Sequence, residues 1–178
     1  MHPPNGKFTL RSGFPPQLNA ELGQVDLHQV GAGYMGHMWF THVYPPVNRL
    51  DPTYNTNHQV TATWSPDLEG TGHRRYDVVA HLPSHGGEYE HAEYVIWPDR
   101  TTDGDPGTCE IDQRTTGWFD DLGEDEWVYL GNYDLYPGAR VQLNNIGDAS
   151  ADSTINMAFD AMAFIPIQGA GNECGDEF

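Results

Sequence analysis

The sequence predicts an all-β protein, a single-domain β-sandwich, and three observations predict it. Apolar and polar residues alternate in several short runs, the period of a half-buried strand. Glycine (20) and proline (13) punctuate those runs along all 178 residues, which favours many turns over long helices. No stretch of helical length carries a 3.6-residue period; Glu88 to Glu93 offers a single turn. The length suits one domain with a proper core. Five Trp and nine Tyr are available to fill it.

Residues 1–23 are rich in Pro and Gly and read as an extended lead-in along the domain edge. The sandwich occupies residues 24–167, and residues 168–178 form a polar tail. The first strand is expected over Gly23 to Val30. Gly31 and Gly33 break it, and an aromatic extended segment follows from Tyr34 to Tyr44. Pro45 and Pro46 end that segment, because proline supplies no ladder donor. Gln59 to Ser65 alternates cleanly, with Val60, Ala62 and Trp64 on one face. Arg75 to Pro83 follows, with Tyr76, Val78 and Ala80 on one face. Ala92 to Trp97 is expected to pair with a strand around Cys109 to Gln113. The intervening Thr-Asp103-Gly-Asp105-Pro-Gly107 is a strong turn signal. A long acidic loop runs from Thr115 to Glu126. Trp127–Leu130, Tyr133–Leu135, Ala139–Leu143 and Ala158–Ile165 complete the strands. Their intervals suit Greek-key or jelly-roll links.

Eight basic residues face 26 acidic ones, for a net charge of −18. Such a surface repels phosphate backbones, so nucleic acid is discounted as a partner. Anionic membrane surfaces are discounted for the same reason. No apolar run approaches the roughly 18 residues of a membrane helix, so membrane insertion is not expected. No basic segment followed by an apolar one opens the chain, so no signal peptide is read. The start resembles a domain cut from a longer protein, which leaves secretion of that parent open.

The two cysteines, Cys109 and Cys174, lie in polar, loop-like surroundings and not in a C-x-x-C pair. A zinc site is therefore disfavoured. A disulfide pinning the tail is favoured over two separate thiols, because exposed cysteines persist best when bridged in an oxidising compartment.

Several motifs carry a family resemblance across roughly Gln24 to Ile167. They are Ala62-Thr-Trp64-Ser-Pro66-Asp-Leu68, Gly72, Arg75-Tyr76-Asp-Val78 and Leu82-Pro83. Next come Ala92-Glu-Tyr94-Val-Ile96, Asp112-Gln113 and Trp127-Val-Tyr-Leu130-Gly131. Gly138 and Phe159-Asp160-Ala161-Met-Ala-Phe164 complete the set. In order and spacing the chain resembles the golvesin C-terminal-like domain, also described as a xanthan-lyase carbohydrate-binding-like domain. Two segments depart from that pattern: Arg114 to Glu126 is longer and more acidic, and Glu69 to Arg74 is an expanded hairpin loop. The resemblance implies a β-sandwich appended to secreted or surface proteins, with no shared catalytic residues.

Sugar recognition needs a flat aromatic ring for stacking, with amides and carboxylates to hydrogen-bond hydroxyls. Trp39, His42 and Tyr44 lie on one extended segment, and Asn48, Asp51, Asn55 and Asn57 follow it. The competing reading puts Trp39 and Phe40 in the core, since aromatics dominate core packing. Trp64 and Trp127 sit in tight strand patterns and read as core. Trp97, at a strand end before Pro98, and Trp118, in the acidic loop, are the exposed candidates. Trp118 and Phe119 read as a lid tucked into the sandwich slightly more readily than as a ligand platform, because exposed apolar pairs are costly without a partner.

Asp103, Asp105 and Asp112, with Glu110, have the oxygen-rich composition of a calcium loop, although Pro106 breaks any EF-hand spacing. Asp148 and Asp152 with Asn144 and Asn145 form a second such turn. A solvated acidic turn is the plainer account of both. No G-x-S-x-G, H-E-x-x-H or phosphate-binding glycine loop is present. Glu88, Glu90 and Glu93 near His85 and His91 have the composition of a glycosidase carboxylate pair, but nothing in the sequence sets their separation.

The expectation is therefore a jelly-roll or galactose-binding-like sandwich acting as a non-catalytic carbohydrate-binding accessory module of a secreted or cell-surface bacterial protein. Its partner would be a polysaccharide or glycan, and calcium is the one cofactor to consider. The alternative is a structural or assembly domain that packs on a parent enzyme or neighbouring subunit and binds no sugar. An autonomous glycan hydrolase or lyase would need two converging carboxylates in a cleft.

Overall fold

The computed structural model describes residues 6–12, 27–46, 59–68, 74–100, 105–114 and 126–176. The first sheet holds β1 (Gly6–Ser12), β4 (Val60–Pro66), β6 (Ala92–Trp97), β7 (Gly107–Ile111) and β9 (Arg140–Asn144). Its order is β1-β4-β9-β6-β7, antiparallel throughout. Opposite it lie β2 (Leu27–Val30), β3 (Met38–His42), β5 (Arg74–Leu82), β8 (Glu126–Leu135), β10 (Asn156–Phe159) and β11 (Met162–Pro166). Here β10 pairs with β3, and β11 pairs with β5. Only Asp160 and Ala161 separate β10 from β11, and His81 N donates to Ala161 O at 3.0 Å. One interrupted path therefore joins the two halves into a layer ordered β2-β3-β10/β11-β5-β8.

From β3 onward, with β10/β11 taken as one strand, the chain crosses between layers at every step except the β6–β7 hairpin, in a jelly-roll order. The quartet β4-β9-β6-β7 faces β3-β10/β11-β5-β8, with β1 and β2 added at the edges. Buried side chains from both layers meet in one core. Val60, Ala62, Trp64, Tyr94, Ile96, Val141 and Leu143 come from the first sheet. Tyr76, Val78, Ala80, Val128, Leu130 and Phe159 come from the second. The alternation read from β4 and β5 thus gives the correct inward faces, because a strand buries every second residue.

Two expected strand extents change, and one of the changes moves a tryptophan out of the core. Trp127–Leu130 and Tyr133–Leu135 are one ten-residue strand. Val78 lies opposite Gly131 and Val79 opposite Tyr129, so Leu130 is the extra residue of a bulge. Gly131 takes φ 118°, a conformation L side chains avoid. The bulge shifts the phase: Val128 and Leu130 face inward before it, and Leu135 after it. An intact period-two pattern cannot run through such a step, which is why the strand reads as two. By the same phase Trp127, expected in the core, is half-buried on the outer face opposite His81. The second change is at Ala158–Ile165, where Asp160 and Ala161 divide the expected strand into β10 and β11.

Three polar side chains tie the layers together. Trp64 Nε1 donates to Asp160 O at 2.8 Å. Gln113, 1% exposed, receives Ala158 N at its Oε1 (3.0 Å) and donates its Nε2 to Ala158 O (3.0 Å) and Tyr94 Oη (3.1 Å). Its amide thereby stands in for a missing strand neighbour of β10. Asn145, fully buried, accepts Val60 N at 2.6 Å and donates to His42 O at 2.9 Å.

Beyond β11 the chain turns back over the second sheet. Asn172 donates its N and Nδ2 to the buried Asp77 carboxylate at 3.2 and 2.8 Å. Gly175 N and Asp176 O then pair with Tyr129 at 2.8 and 2.9 Å, covering part of the β8 edge. Cys174 is bonded to Cys109 of β7, 65 residues away. The favoured disulfide forms, and it clasps the tail across the rim where β7 and β8 end their sheets.

Candidate functional site

Burying one face of β4, β6 and β9 turns their alternate residues outward on the first sheet. Thr61, Thr63 and Ser65 point out from β4, and Arg140, Gln142 and Asn144 from β9. Val95 and Trp97 do so from β6. Register aligns them: Thr63 lies opposite Gln142, Gln142 opposite Val95, Thr61 opposite Asn144, and Arg140 opposite Trp97.

The side chains on this face form a chain of contacts. Trp97 Nε1 donates to Gln142 Oε1 at 3.0 Å, and Gln142 Nε2 donates to Thr63 Oγ1 at 3.3 Å. The Arg140 guanidinium lies 4.8 Å above the Trp97 ring, and its Nη1 donates to Asp99 O at 3.0 Å. Stacking and the carbonyl anchor hold Arg140 flat, so its remaining N–H groups are pre-oriented. The arrangement can present a fixed indole, a fixed guanidinium and a row of hydroxyls and amides to hydroxyl-rich or anionic ligands. Among the described residues of this face, no nucleophile has an adjacent base.

The other expected ligand residues scatter. Trp39 is half-buried and packs against the core, with His37 edge-on at 5.8 Å. Tyr44 is buried at 8% exposure and fills the interior instead of offering a stacking face. His42 is half-buried on the opposite side of β3 from Trp39, in register with Asn156. Asn57 and Trp118 lie outside the described residues. Of the expected set among the described residues, Trp97 alone stands on the face built around Arg140 and Gln142.

Of the calcium candidates, Asp103 lies outside the described residues, and Asp105 is exposed before β7. Asp112 is held by Arg114, with Nη2 to Oδ2 at 2.7 Å and Nε to Oδ1 at 3.0 Å. Those hydrogen bonds keep its carboxyl below the ordinary carboxylate value. Asp148 Oδ1 accepts Ser150 N at 2.8 Å, and Asp152 Oδ1 accepts Thr154 N at 2.8 Å, so both carboxylates cap their own turns. Among the described residues, no group of three or more His, Cys, Asp or Glu side chains is arranged to hold a metal ion.

The carboxylates near His85 and His91 have separate partners. Glu88 accepts Asn156 N at 3.0 Å, and Glu90 pairs with Arg114 at 2.5 Å. His91 Nδ1 lies 2.9 Å from Glu110 Oε1, and that hydrogen bond raises the imidazole above its ordinary value.

Sequence reasoning missed one polar pair. His81 Nδ1 lies 2.6 Å from Asp160 Oδ2, with both side chains buried. Tyr34 N donates to the same oxygen at 2.9 Å. The rings of Tyr34 and Trp127 roof His81 at 5.5 and 4.8 Å. A Cβ on Gly33 would meet Asp160 Oδ2 at 2.4 Å, so a glycine lets the loop close over the pair. The pair anchors the loop before β3 to the break between β10 and β11. The only sequence signal was Asp160 interrupting an apolar run.

No family model matches the chain, and no curated protein matches it significantly. Among the described residues no helix is long and apolar enough to cross a membrane.

Proposed function

We propose that this chain is a non-catalytic carbohydrate-binding accessory module of the golvesin C-terminal-like kind, borne by a secreted or cell-surface bacterial protein. The observation that carries the reading is the outer face of the first sheet. There Trp97 stacks on Arg140 and donates to Gln142, Gln142 donates to Thr63, and Thr61 and Asn144 continue the same outward face further along β4 and β9. Glycan hydroxyls both donate and accept, and this row of hydroxyls, amides and a guanidinium answers them. The Cys109–Cys174 bridge supports an oxidising location.

The test is affinity electrophoresis of the isolated chain through gels containing soluble polysaccharides, run in calcium and in EDTA. Retardation by at least one polymer is expected, with loss in Trp97→Ala while the urea unfolding midpoint stays near that of the wild type. Retardation unchanged in that variant would refute this face. A loss in EDTA alone would add calcium to the site.

One observation favours the second reading, a domain that packs on a parent enzyme or subunit. Tyr34 and Met35 are 45% and 63% exposed beside Trp127, and exposed apolar neighbours mark contact surfaces. No retardation by any polysaccharide would move the assignment there.

A further inference from the structure

Charge is distributed unevenly over this acidic chain. Three of its eight basic residues, Lys7, Arg11 and Arg140, point out from the same face of the first sheet. Lys7 lies opposite Ser65, Thr9 opposite Thr63, and Arg11 opposite Thr61. Phe8 and Leu10 pack against the core, which turns Lys7, Thr9 and Arg11 outward. The register of β4 with β9, extended one step, sets Ser65 beside Arg140. Lys7, Ser65, Arg140 and Trp97 therefore form one row across four strands, about 14 Å long at about 4.8 Å per strand spacing. Arg11 lies four residues from Lys7 on β1, a further span of about 14 Å.

Lys7 and Arg11 pair with no carboxylate among the described residues. Arg140 is stacked on Trp97 and bonded to a backbone carbonyl, so its charge is not neutralised either. Among the described strand residues of this face the carboxylates are Glu93 and Glu110, opposite each other on β6 and β7, with Glu110 bonded to His91; Asp67 and Asp99 stand just past the ends of β4 and β6. The face is thus polarised, cationic over β1, β4 and β9. The net charge of −18 does not oppose this locally, because charges beyond about 8 Å are largely screened at physiological ionic strength.

We infer that this face takes an acidic polysaccharide, one bearing carboxylates or sulfates on successive sugars. The inference rests on the glycan-binding reading above and names its ligand class. Arg140 offers the planar fork that matches a carboxylate or sulfate. Lys7 and Arg11 stand too far from it for one sugar to reach all three, so the ligand is a polymer. Trp97 acts mainly by positioning Arg140, since the guanidinium occupies one face of its ring.

The experiment compares polygalacturonate, its fully methyl-esterified form, alginate and neutral dextran in affinity gels, with wild type, Lys7→Gln/Arg11→Gln and Lys7→Arg/Arg11→Lys. Retardation by the two acidic polymers is expected, with little by the methyl ester or dextran. The glutamine pair should weaken it about tenfold, as two exposed charge contacts would, and the charge-conserving pair should restore it. Equal retardation by the acidic and esterified polymers, sensitive to Trp97→Ala, would keep glycan binding and overturn the acidic class. Acidic binding unaffected by the glutamine pair would overturn this placement. No retardation by any polymer would overturn the glycan reading and this inference with it.

Discussion

Cutting the Cys109–Cys174 clasp should cost this domain a large share of its stability. Cys174 is exposed, so Cys174→Ser removes the bridge without opening a cavity. The bridge closes a 65-residue loop. For a loop of that size the chain-entropy relation gives about 14 cal/mol/K, or about 4 kcal/mol at 25 °C. A domain of 178 residues should lose about 8–16 °C of melting temperature for that change. Equilibrium urea unfolding followed by tryptophan fluorescence measures it, with dithiothreitol-treated wild type as a second arm. The slope should rise as well, because the unbridged denatured chain exposes more surface. A loss under about 1 kcal/mol in both arms would refute the reasoning. It would mean that the hydrogen bonds of Asn172 and Gly175 hold the tail and that the bridge adds nothing.

Three further predictions concern single groups. Gln113→Met keeps the volume but orphans both the N–H and the C=O of Ala158; urea unfolding should show a loss of about 2–5 kcal/mol, and a change under about 1 kcal/mol would show that water replaces the amide. Gly107→Ala would set a Cβ 2.3 Å from Tyr133 Cε1, and thermal unfolding should report about 1–3 kcal/mol of overpacking. His91 should titrate above the ordinary 6.5 in an NMR experiment, and Glu110→Gln should bring it down. Its folded value is raised, so the contact contributes fully below pH 6.5 and fades as pH rises through the raised value; an unchanged midpoint in the variant would discard Glu110 as the cause.

Three of the residues that carry the family resemblance make buried polar ties, Trp64 and Gln113 between the layers and Asp160 within the second layer. Trp64 bonds to the backbone at Asp160, Gln113 joins Tyr94 to Ala158, and Asp160 holds His81 and the Tyr34 loop. Each holds a buried polar atom that the fold must satisfy, so such positions speak for the architecture and are silent on the ligand. The inward faces of β4 and β5 were legible because burial on one side leaves an alternating pattern. Trp127 and the single strand β8 were not, because a bulge at Leu130–Gly131 resets the phase. Trp97 was legible as an outward ring at a strand end, although it is half-buried under Arg140 and not fully exposed, whereas Tyr44 was not distinguishable from it by type. Burial of an aromatic depends on which layer lies above it.

By itself the sequence determined an all-β sandwich, an acidic composition and a favoured bridge between two cysteines, although Cys109, read as lying in an exposed loop, is buried within β7. These follow from composition and from period-two alternation, both local properties of the chain. Only the tertiary structure decided that Lys7, Ser65, Arg140 and Trp97 share one row. Those residues come from four strands, β1, β4, β9 and β6, far apart in sequence, and jelly-roll crossovers decide which strands become neighbours. The same crossovers brought His81 to Asp160. Local patterning sets which way a side chain points; long-range strand pairing sets what it meets.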